Sequence, residues 1–141
     1  MIQTFTANKV ALMDEPLGFG VAEEVGSGML RHSLILCLDD EKEGAAALYV
    51  EFNDQSNACT GPNLALVELS DTQLRLHFKP GSRLRSGSVD ACLGEPLTVL
   101  AAVLTLSPPE IKTLWVRLRQ VVEGACPLRY VGRALQSADE G

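Results

Sequence analysis

The chain has 141 residues, of which 46% are apolar and 21% charged, and its 12 basic and 18 acidic residues give a net charge of −6. This length fits a single globular domain with a substantial core. The acidic balance argues against a nucleic-acid binder, because such proteins neutralise phosphates with lysine and arginine. No run of about 20 apolar residues could span a membrane. The N-terminus lacks a basic segment followed by an apolar run, so we expect a cytoplasmic protein.

The charge is distributed unevenly along the chain. Residues 1–71 contain 12 acidic and 3 basic residues, a net charge of −9, whereas residues 72–141 contain 6 acidic and 9 basic residues, a net charge of +3. Such asymmetry indicates an electrostatic interaction face. A clustering of acids in solvated loops without any binding role explains the same numbers equally well.

Alternating apolar residues predict several strands in the first half of the chain. The predicted strands cover residues 2–13, 17–25, 30–38 and 47–53. In the third of them Leu34, Leu36 and Leu38 share one face with His32, which is typical of a strand with one buried face. Residues 39–44 then form an acidic loop.

Two further strands are predicted over residues 64–69 and 73–79. These two strands form a hairpin. Alternation in the second places Arg75, His77 and Lys79 on the side that faces solvent. Residues 80–96 are rich in proline, glycine and serine and read as a long loop, which is unusual inside a compact domain. The nearly continuous apolar run over residues 97–106 favours a buried strand, with a helix as the alternative.

The clearest helix signal begins at Ser107. Ser107 is a predicted N-cap, Pro108 occupies the first helical position, and Glu110 completes a capping box. An apolar stripe at helical spacing follows, formed by Ile111, Leu114, Trp115, Leu118 and Val122. Gly124 is a natural residue to end the helix.

Many strands followed by one helix predict an α+β fold. We expect an antiparallel sheet of about six or seven strands, with the C-terminal helix packed on one face of it. The whole of residues 1–133 is predicted to form a single globular domain. Residues 134–141 are predicted to be a flexible C-terminal tail.

The sequence shows no signature of catalysis or metal binding. The four cysteines lack zinc-ligand spacing and are predicted to stay reduced; they are Cys37, Cys59, Cys92 and Cys126. His32 lies among leucines and is interpreted as a satisfied core side chain, and His77 as a solvated one. No nucleophile elbow or phosphate-binding loop is present. We therefore predict no catalytic residue, no metal and no cofactor, and expect that the protein is not an enzyme.

Three stretches of the chain are similar to the immunity protein 10 family of bacterial polymorphic toxin systems: residues 32–41, 49–57 and 67–76. The passage from residues 104–107 into the capped helix also fits the family, and the resemblance covers roughly residues 3–123. It implies a small cytoplasmic inhibitor that binds and neutralises a cognate toxin. It implies no catalytic residues.

Charge and loop position suggest which residues would contact such a toxin. The hypothesis comprises Asp39, Asp40, Glu41, Glu43, Glu51, Asn53, Asp54 and Gln55. Carboxylates on loops beside a stiff sheet are suited to steering and recognising a basic protein. The expected partner is therefore a basic toxin domain, not nucleic acid or a membrane, and no oligomeric state follows from the sequence.

Two alternatives stay open. The first is a small-ligand-binding or enzymatic α+β domain, with polar groups converging around His32 or residues 80–96. The second is a dimeric acidic secretion chaperone, which has similar size and charge. Chaperones of that kind usually begin with a helix, whereas this chain begins with a predicted strand.

Overall fold

A computed structural model describes residues 2–15, 17–39, 47–53, 55–57, 64–80, 97–122, 124 and 126–132. Within them the chain forms ten strands and one helix. The strands are β1 (Ile2–Ala7), β2 (Lys9–Asp14), β3 (Leu17–Glu24), β4 (Leu30–Asp39), β5 (Ala47–Phe52), β6 (Gln55–Asn57), β7 (Leu64–Ser70), β8 (Gln73–Phe78), β9 (Val99–Leu104) and β10 (Leu128–Val131), and the helix is α1 (Pro108–Val122). Most of the predicted 80–96 loop and all of the predicted 134–141 tail lie outside the described residues.

The strands form two five-stranded sheets. Sheet 1 has the order β1-β9-β8-β7-β10, and sheet 2 has the order β2-β3-β4-β5-β6. Most neighbouring strands are antiparallel, but β1 pairs with β9 and β10 pairs with β7 in parallel. The expectation of a largely antiparallel β fold with one helix is confirmed. The expectation of a single sheet of six or seven strands is wrong.

A bend at Asn8 explains why one predicted strand contributes to both sheets. Residues 2–13 divide into β1 and β2, and the main-chain N–H of Asn8 donates to Ala22 O at 2.9 Å. The Asn8 side-chain amide donates to Glu24 O at 3.1 Å and accepts from Glu24 N–H at 2.9 Å. These bonds satisfy the backbone where the chain leaves sheet 1 for sheet 2. The two sheets are thereby joined at a corner.

The inner faces of the two sheets and the helix form one hydrophobic core. Side chains alternate along each strand, so every second residue points into this core. Leu34 and Leu36, predicted to be inward, are fully buried. The largest fully buried side chains are Phe19, Phe52, Leu34, Leu36, Leu48, Leu64, Leu69, Leu74, Leu76, Leu97 and Leu100.

The helix begins where the capping box predicts. Ser107 N–H donates to Glu110 Oε1 at 3.0 Å, and Glu110 N–H donates to Ser107 Oγ at 3.4 Å. Gly124, just beyond the end of the helix, has a φ of +92°, which glycine adopts without strain. The buried residues of the helix are Ile111, Leu114, Leu118, Val121 and Val122. With 15 residues and one polar face, this helix cannot cross a membrane, and the described part of the chain contains no other helix.

The helix contacts both sheets. It packs against β3 and β4 of sheet 2. On its other side the half-buried Trp115 meets Tyr130 of β10 edge to face, with ring centroids 5.4 Å apart. Because these contacts lie in different sheets, the helix closes one side of the space between them.

Candidate interaction surface

Four of the eight residues predicted to contact a toxin lie in the described part of the chain. They are Asp39, Glu51, Asn53 and Gln55, whereas Asp40, Glu41, Glu43 and Asp54 lie outside the described residues. Asp39 is the last residue of β4 and pairs with Ala47, and Gln55 is the first residue of β6 and pairs with Phe52. All four are therefore on, or directly beside, the three neighbouring strands β4, β5 and β6.

Glu51 lies on the outer face of sheet 2, which points away from the core. It pairs with Ile35 across the β4–β5 ladder and is half-buried. The Tyr49 hydroxyl donates to Glu51 Oε1 at 3.4 Å. No cationic side chain of the described residues pairs with the Glu51 carboxylate. Its negative charge is therefore not compensated within the described structure.

Asn53 has a structural task at the end of β5. Its φ of +49° is in the left-handed region, which asparagine tolerates better than most residues. Asn53 N–H donates to Ser33 O at 3.0 Å, and Asn53 Oδ1 accepts from Ser33 N–H at 2.9 Å. The side-chain oxygen of Asn53 thus accepts the hydrogen bond that Ser33 N–H would otherwise donate to a main-chain oxygen of a neighbouring strand. The Nδ2 group is buried and has no hydrogen-bond partner among the described residues.

A groove of about 420 Å³ lies on the outer face of sheet 2 beside Glu51. Small residues of β2 and β3 form its floor, among them Ala11, Gly20 and Ala22. Larger side chains stand around it, including Met13, Leu30, Ile35 and Glu51. The volume falls within the usual range of ligand sites, which is about 300–1,000 Å³. The groove therefore places an uncompensated carboxylate beside an apolar, recessed surface.

Two further charges lie in the lining of the groove and compensate each other. Lys9 Nζ lies 2.8 Å from Glu24 Oε2. The hydrogen bond and charge of Lys9, together with a main-chain hydrogen bond from Gly28, lower the pKa of Glu24. Since Lys9 and Glu24 neutralise each other, Glu51 gives the described lining its net negative charge.

The groove was not identified from the sequence, although a signal for it is present. The positions of β3 that alternate with the core residues Phe19 and Val21 are small: Gly18, Gly20 and Ala22. A strand with bulky residues on one face and small ones on the other leaves its second face recessed.

His32 has the satisfied environment expected of it. Its Nδ1 lies 2.9 Å from Glu23 Oε1. Its ring stacks on Phe5, at a centroid distance of 5.5 Å, and on Phe52, at 6.2 Å. His32 is half-buried at the edge of the core rather than fully inside it. Glu23 is the polar partner that the described residues supply to it.

The outer face of sheet 1 carries a second charged cluster, centred on Glu68. Arg129 Nε donates to Glu68 Oε2 at 2.9 Å, and Arg129 Nη2 binds the same oxygen. His77 Nε2 lies 3.7 Å from Glu68 Oε1. The hydrogen bond and charge of Arg129, with a smaller contribution from His77, lower the pKa of Glu68. Arg75 and His77 are half-buried here, so the prediction that they face solvent is only partly right.

Ion pairs connect the acidic and the basic parts of the sequence. Glu68 pairs with Arg129, and Asp14 pairs with Arg117 at 3.2 Å. In both pairs an acid from residues 1–71 meets an arginine from residues 72–141. The charge asymmetry of the sequence is therefore partly cancelled in the fold. Glu51 differs from these acids because no described cation reaches it.

In the part of the chain that the structure describes, neither Cys37 and Cys126 nor the other side chains form a recognisable metal site. Cys37 is buried, as expected, and Cys126 is half-buried. Burial raises the pKa of the Cys126 thiol, which disfavours the reactive thiolate. The described residues contain no group of three or more histidine, cysteine, aspartate or glutamate side chains that could hold a metal ion.

Comparison with known proteins identifies no relative. No family model matches the chain, no curated protein matches it, and no solved structure matches it. The similarity to the immunity protein 10 family therefore stays a prediction from the sequence. Inference about function depends on the groove, its charges and the composition of the chain.

Proposed function

We propose that the protein is an immunity-type inhibitor that binds a basic toxin domain through the outer face of sheet 2. The observation that carries the proposal is the uncompensated Glu51 carboxylate in the wall of the groove. A lysine or arginine of the partner would lay its aliphatic stem on the floor of small residues. Its charged end would then reach Glu51 and form a charge-assisted hydrogen bond.

Long-range electrostatics support the same partner. The net charge of −9 over residues 1–71 favours the approach of a basic protein and raises its association rate. Asp39, at the end of β4, lies in the same sheet as Glu51. Cations are steered by the whole acidic region, whereas the groove selects where one of them is bound.

Exposed apolar residues at the β3–β4 turn complete this surface. Met29 is 67% exposed and Leu30 is 50% exposed, and Leu30 also lines the groove. Methionine adapts to irregular partner surfaces and is enriched in interfaces. A recessed apolar area with one central charge resembles the anatomy of protein–protein interfaces, in which a few buried anchors dominate the binding energy.

The proposal is tested by pairing the protein with the toxin domain encoded by the neighbouring gene. Co-expression should rescue growth of cells that express the toxin, and the purified proteins should form a complex. Glu51→Gln keeps the shape of the side chain and removes its charge. We expect it to weaken binding by about 30-fold, which corresponds to the loss of about 2 kcal/mol from a buried charged pair.

Glu15→Gln serves as the matched control. Glu15 is an exposed acid outside the groove lining, and its replacement should change the dissociation constant by less than about threefold, as expected for a peripheral charge. Absence of both rescue and complex would refute the immunity function. Equal losses for the two variants would instead refute the groove as the binding site.

Replacing Asp39, Asp40, Glu41 and Glu43 together by serine tests the loop residues separately, and unchanged affinity for the toxin domain would exclude these four residues from the binding site.

A further inference from the structure

The outer face of sheet 1 places several charged residues side by side. Arg75 of β8 pairs in register with Glu68 of β7 on one side and with Ala101 of β9 on the other. Arg129 of β10 lies beyond Glu68 in the same row. His77 follows Arg75 by two positions and therefore points to the same face. This row is on a different sheet from the groove.

Arg75 is the member of this cluster whose charge is not compensated. Its Nε is buried and has no hydrogen-bond partner within the described part of the chain. None of the ion pairs found there includes Arg75. Glu68, its register partner, is bound instead by two nitrogens of Arg129. His77 Nε2 is likewise buried without a hydrogen bond, since Glu68 Oε1 is 3.7 Å away.

Buried donors of this kind need an acceptor. A buried polar group that has lost its water without gaining a partner destabilises the fold, more so if it is charged. The Nε of an arginine and one Nη form a planar fork that matches two oxygens of a carboxylate or phosphate group. A single anion above Arg75 would fill this fork, and His77 lies close enough in the pleat to contribute a second donor.

We propose that Arg75 and His77 form a binding site for an oxyanion, the shared chemistry being a phosphate or carboxylate group. Glu68 does not oppose the anion effectively, because Arg129 neutralises it. Arg75, Arg129 and Glu68 together leave a net positive charge on this face. The site is independent of the toxin-binding groove, so either one can be present without the other.

Titration of the intact protein with inorganic phosphate, and separately with acetate, tests the site. Chloride at matched ionic strength is the reference, and the Nε–Hε NMR signal of Arg75 is the readout. We expect the signal to shift saturably. Arg75→Lys keeps the charge but removes the fork, and should weaken binding at least about tenfold, since monodentate contacts replace bidentate ones. Lys112→Gln, which removes a charge from the exposed face of the helix, should leave binding unchanged.

The two titrations also distinguish the sources of the oxyanion. Saturation by phosphate alone indicates a phosphorylated ligand, whereas saturation by acetate as well indicates a carboxylate. An Arg75 signal that follows both anions linearly, as chloride does, overturns the proposal. Equal affinity of Arg75→Lys and the wild type overturns it too. Should Arg75→Lys fail to fold, the wild-type Arg75 signal decides alone.

Discussion

The guanidinium group of Arg117 donates a hydrogen bond of 3.1 Å to the main-chain oxygen of Gly18. The same nitrogen also donates to the main-chain oxygen of Met13. The Arg117 side chain is only 14% exposed, although Asp14, its ionic partner, is 88% exposed. One residue of the helix therefore binds both strands of the β2–β3 hairpin. Its hydrogen bonds to the two main-chain oxygens are less exposed to solvent than its ion pair with Asp14.

Replacing Arg117 should destabilise the fold far more than replacing its ionic partner. Arg117→Met leaves two carbonyl oxygens without their donor, and we expect the free energy of unfolding to decrease by about 2–3 kcal/mol. Asp14→Asn removes only an exposed ion pair and should cost less than about 0.5 kcal/mol. Urea denaturation measures both, with Lys112→Met as the control for a lost surface charge on the helix. Similar losses for Arg117→Met and Asp14→Asn would show that the ion pair is the important contact.

Two glycines of β3 should differ strongly in their tolerance of the same substitution. A Cβ at Gly18 would lie 2.4 Å from both Cys37 Cβ and Leu36 O, so Gly18→Ala forces the backbone apart. We expect a loss of about 3 kcal/mol or more. A Cβ at Gly20 would lie 3.5 Å from Ile35 Cγ1, an ordinary contact. Gly20→Ala should therefore change the unfolding free energy by less than about 1 kcal/mol. Equal thermal stability of the two variants would contradict this packing.

A larger residue at Gly20 should block the groove without unfolding the protein. Leucine at this position extends from the floor into the volume between Met13 and Ile35. We expect Gly20→Leu to weaken binding of the basic partner by about tenfold or more, because the partner's side chain loses its place on the floor. Gly20→Ala is the control. Unchanged affinity of a folded Gly20→Leu protein would place the partner elsewhere.

The two roles of Asn53 should separate by substitution. Asn53→Gly keeps access to the left-handed conformation and loses only the hydrogen bond from Ser33 N–H. Asn53→Ala loses this bond and also adopts a strained φ. We expect a loss of about 1 kcal/mol for glycine and about 2 kcal/mol for alanine. Guanidinium denaturation provides the comparison, and an alanine variant as stable as the glycine variant would exclude the conformational contribution.

Glu68 should make stability depend on pH in the acidic range. Arg129 lowers the pKa of Glu68 in the folded state, so the unfolded state takes up a proton more readily. The stabilisation is complete above the ordinary value of 4.5 and decreases as pH falls through the lower folded-state pKa. Glu68→Gln should therefore lose less stability than the wild type between neutral pH and pH values below 4.5. Parallel stability curves for both proteins would contradict the shift; Glu15→Gln is the control.

Local signals in the sequence predicted local structure well. The capping box at Ser107 and the stripe through Leu114 and Leu118 specify the helix because each contact lies within one or two turns. Alternation in β4 identified its buried face for the same reason. Asn8 is different: it makes its bend with bonds to residues 22 and 24, and nothing in its immediate neighbours marks the break.

The division into two sheets depended on partners far apart in sequence. Phe5 pairs with Ala102 and Tyr130 pairs with Leu69, both in parallel. Parallel strands are not joined by a short turn, so no local turn signal predicts these pairings. Glu51 was predicted as a site residue from charge alone, but the recessed floor beside it requires knowing that Gly20 lies next to Ile35. The two-sheet arrangement and the groove could not be predicted because each depends on strands that are distant in sequence and adjacent only in the fold.

The parallel pairing of β1 with β9 has a consequence for biosynthesis. The strand β1 cannot find its place in sheet 1 until residues 99–104 have emerged from the ribosome. Sheet 2, made from residues 9–57, has its neighbours in chain order and needs no such delay. Bringing β1 and β9 together closes a long loop of chain between them. This step slows folding, because the chain loses conformational entropy before the strands form any stabilising contact. The fold should therefore assemble in two stages, with β1 joining sheet 1 only after residues 99–104 have been synthesised.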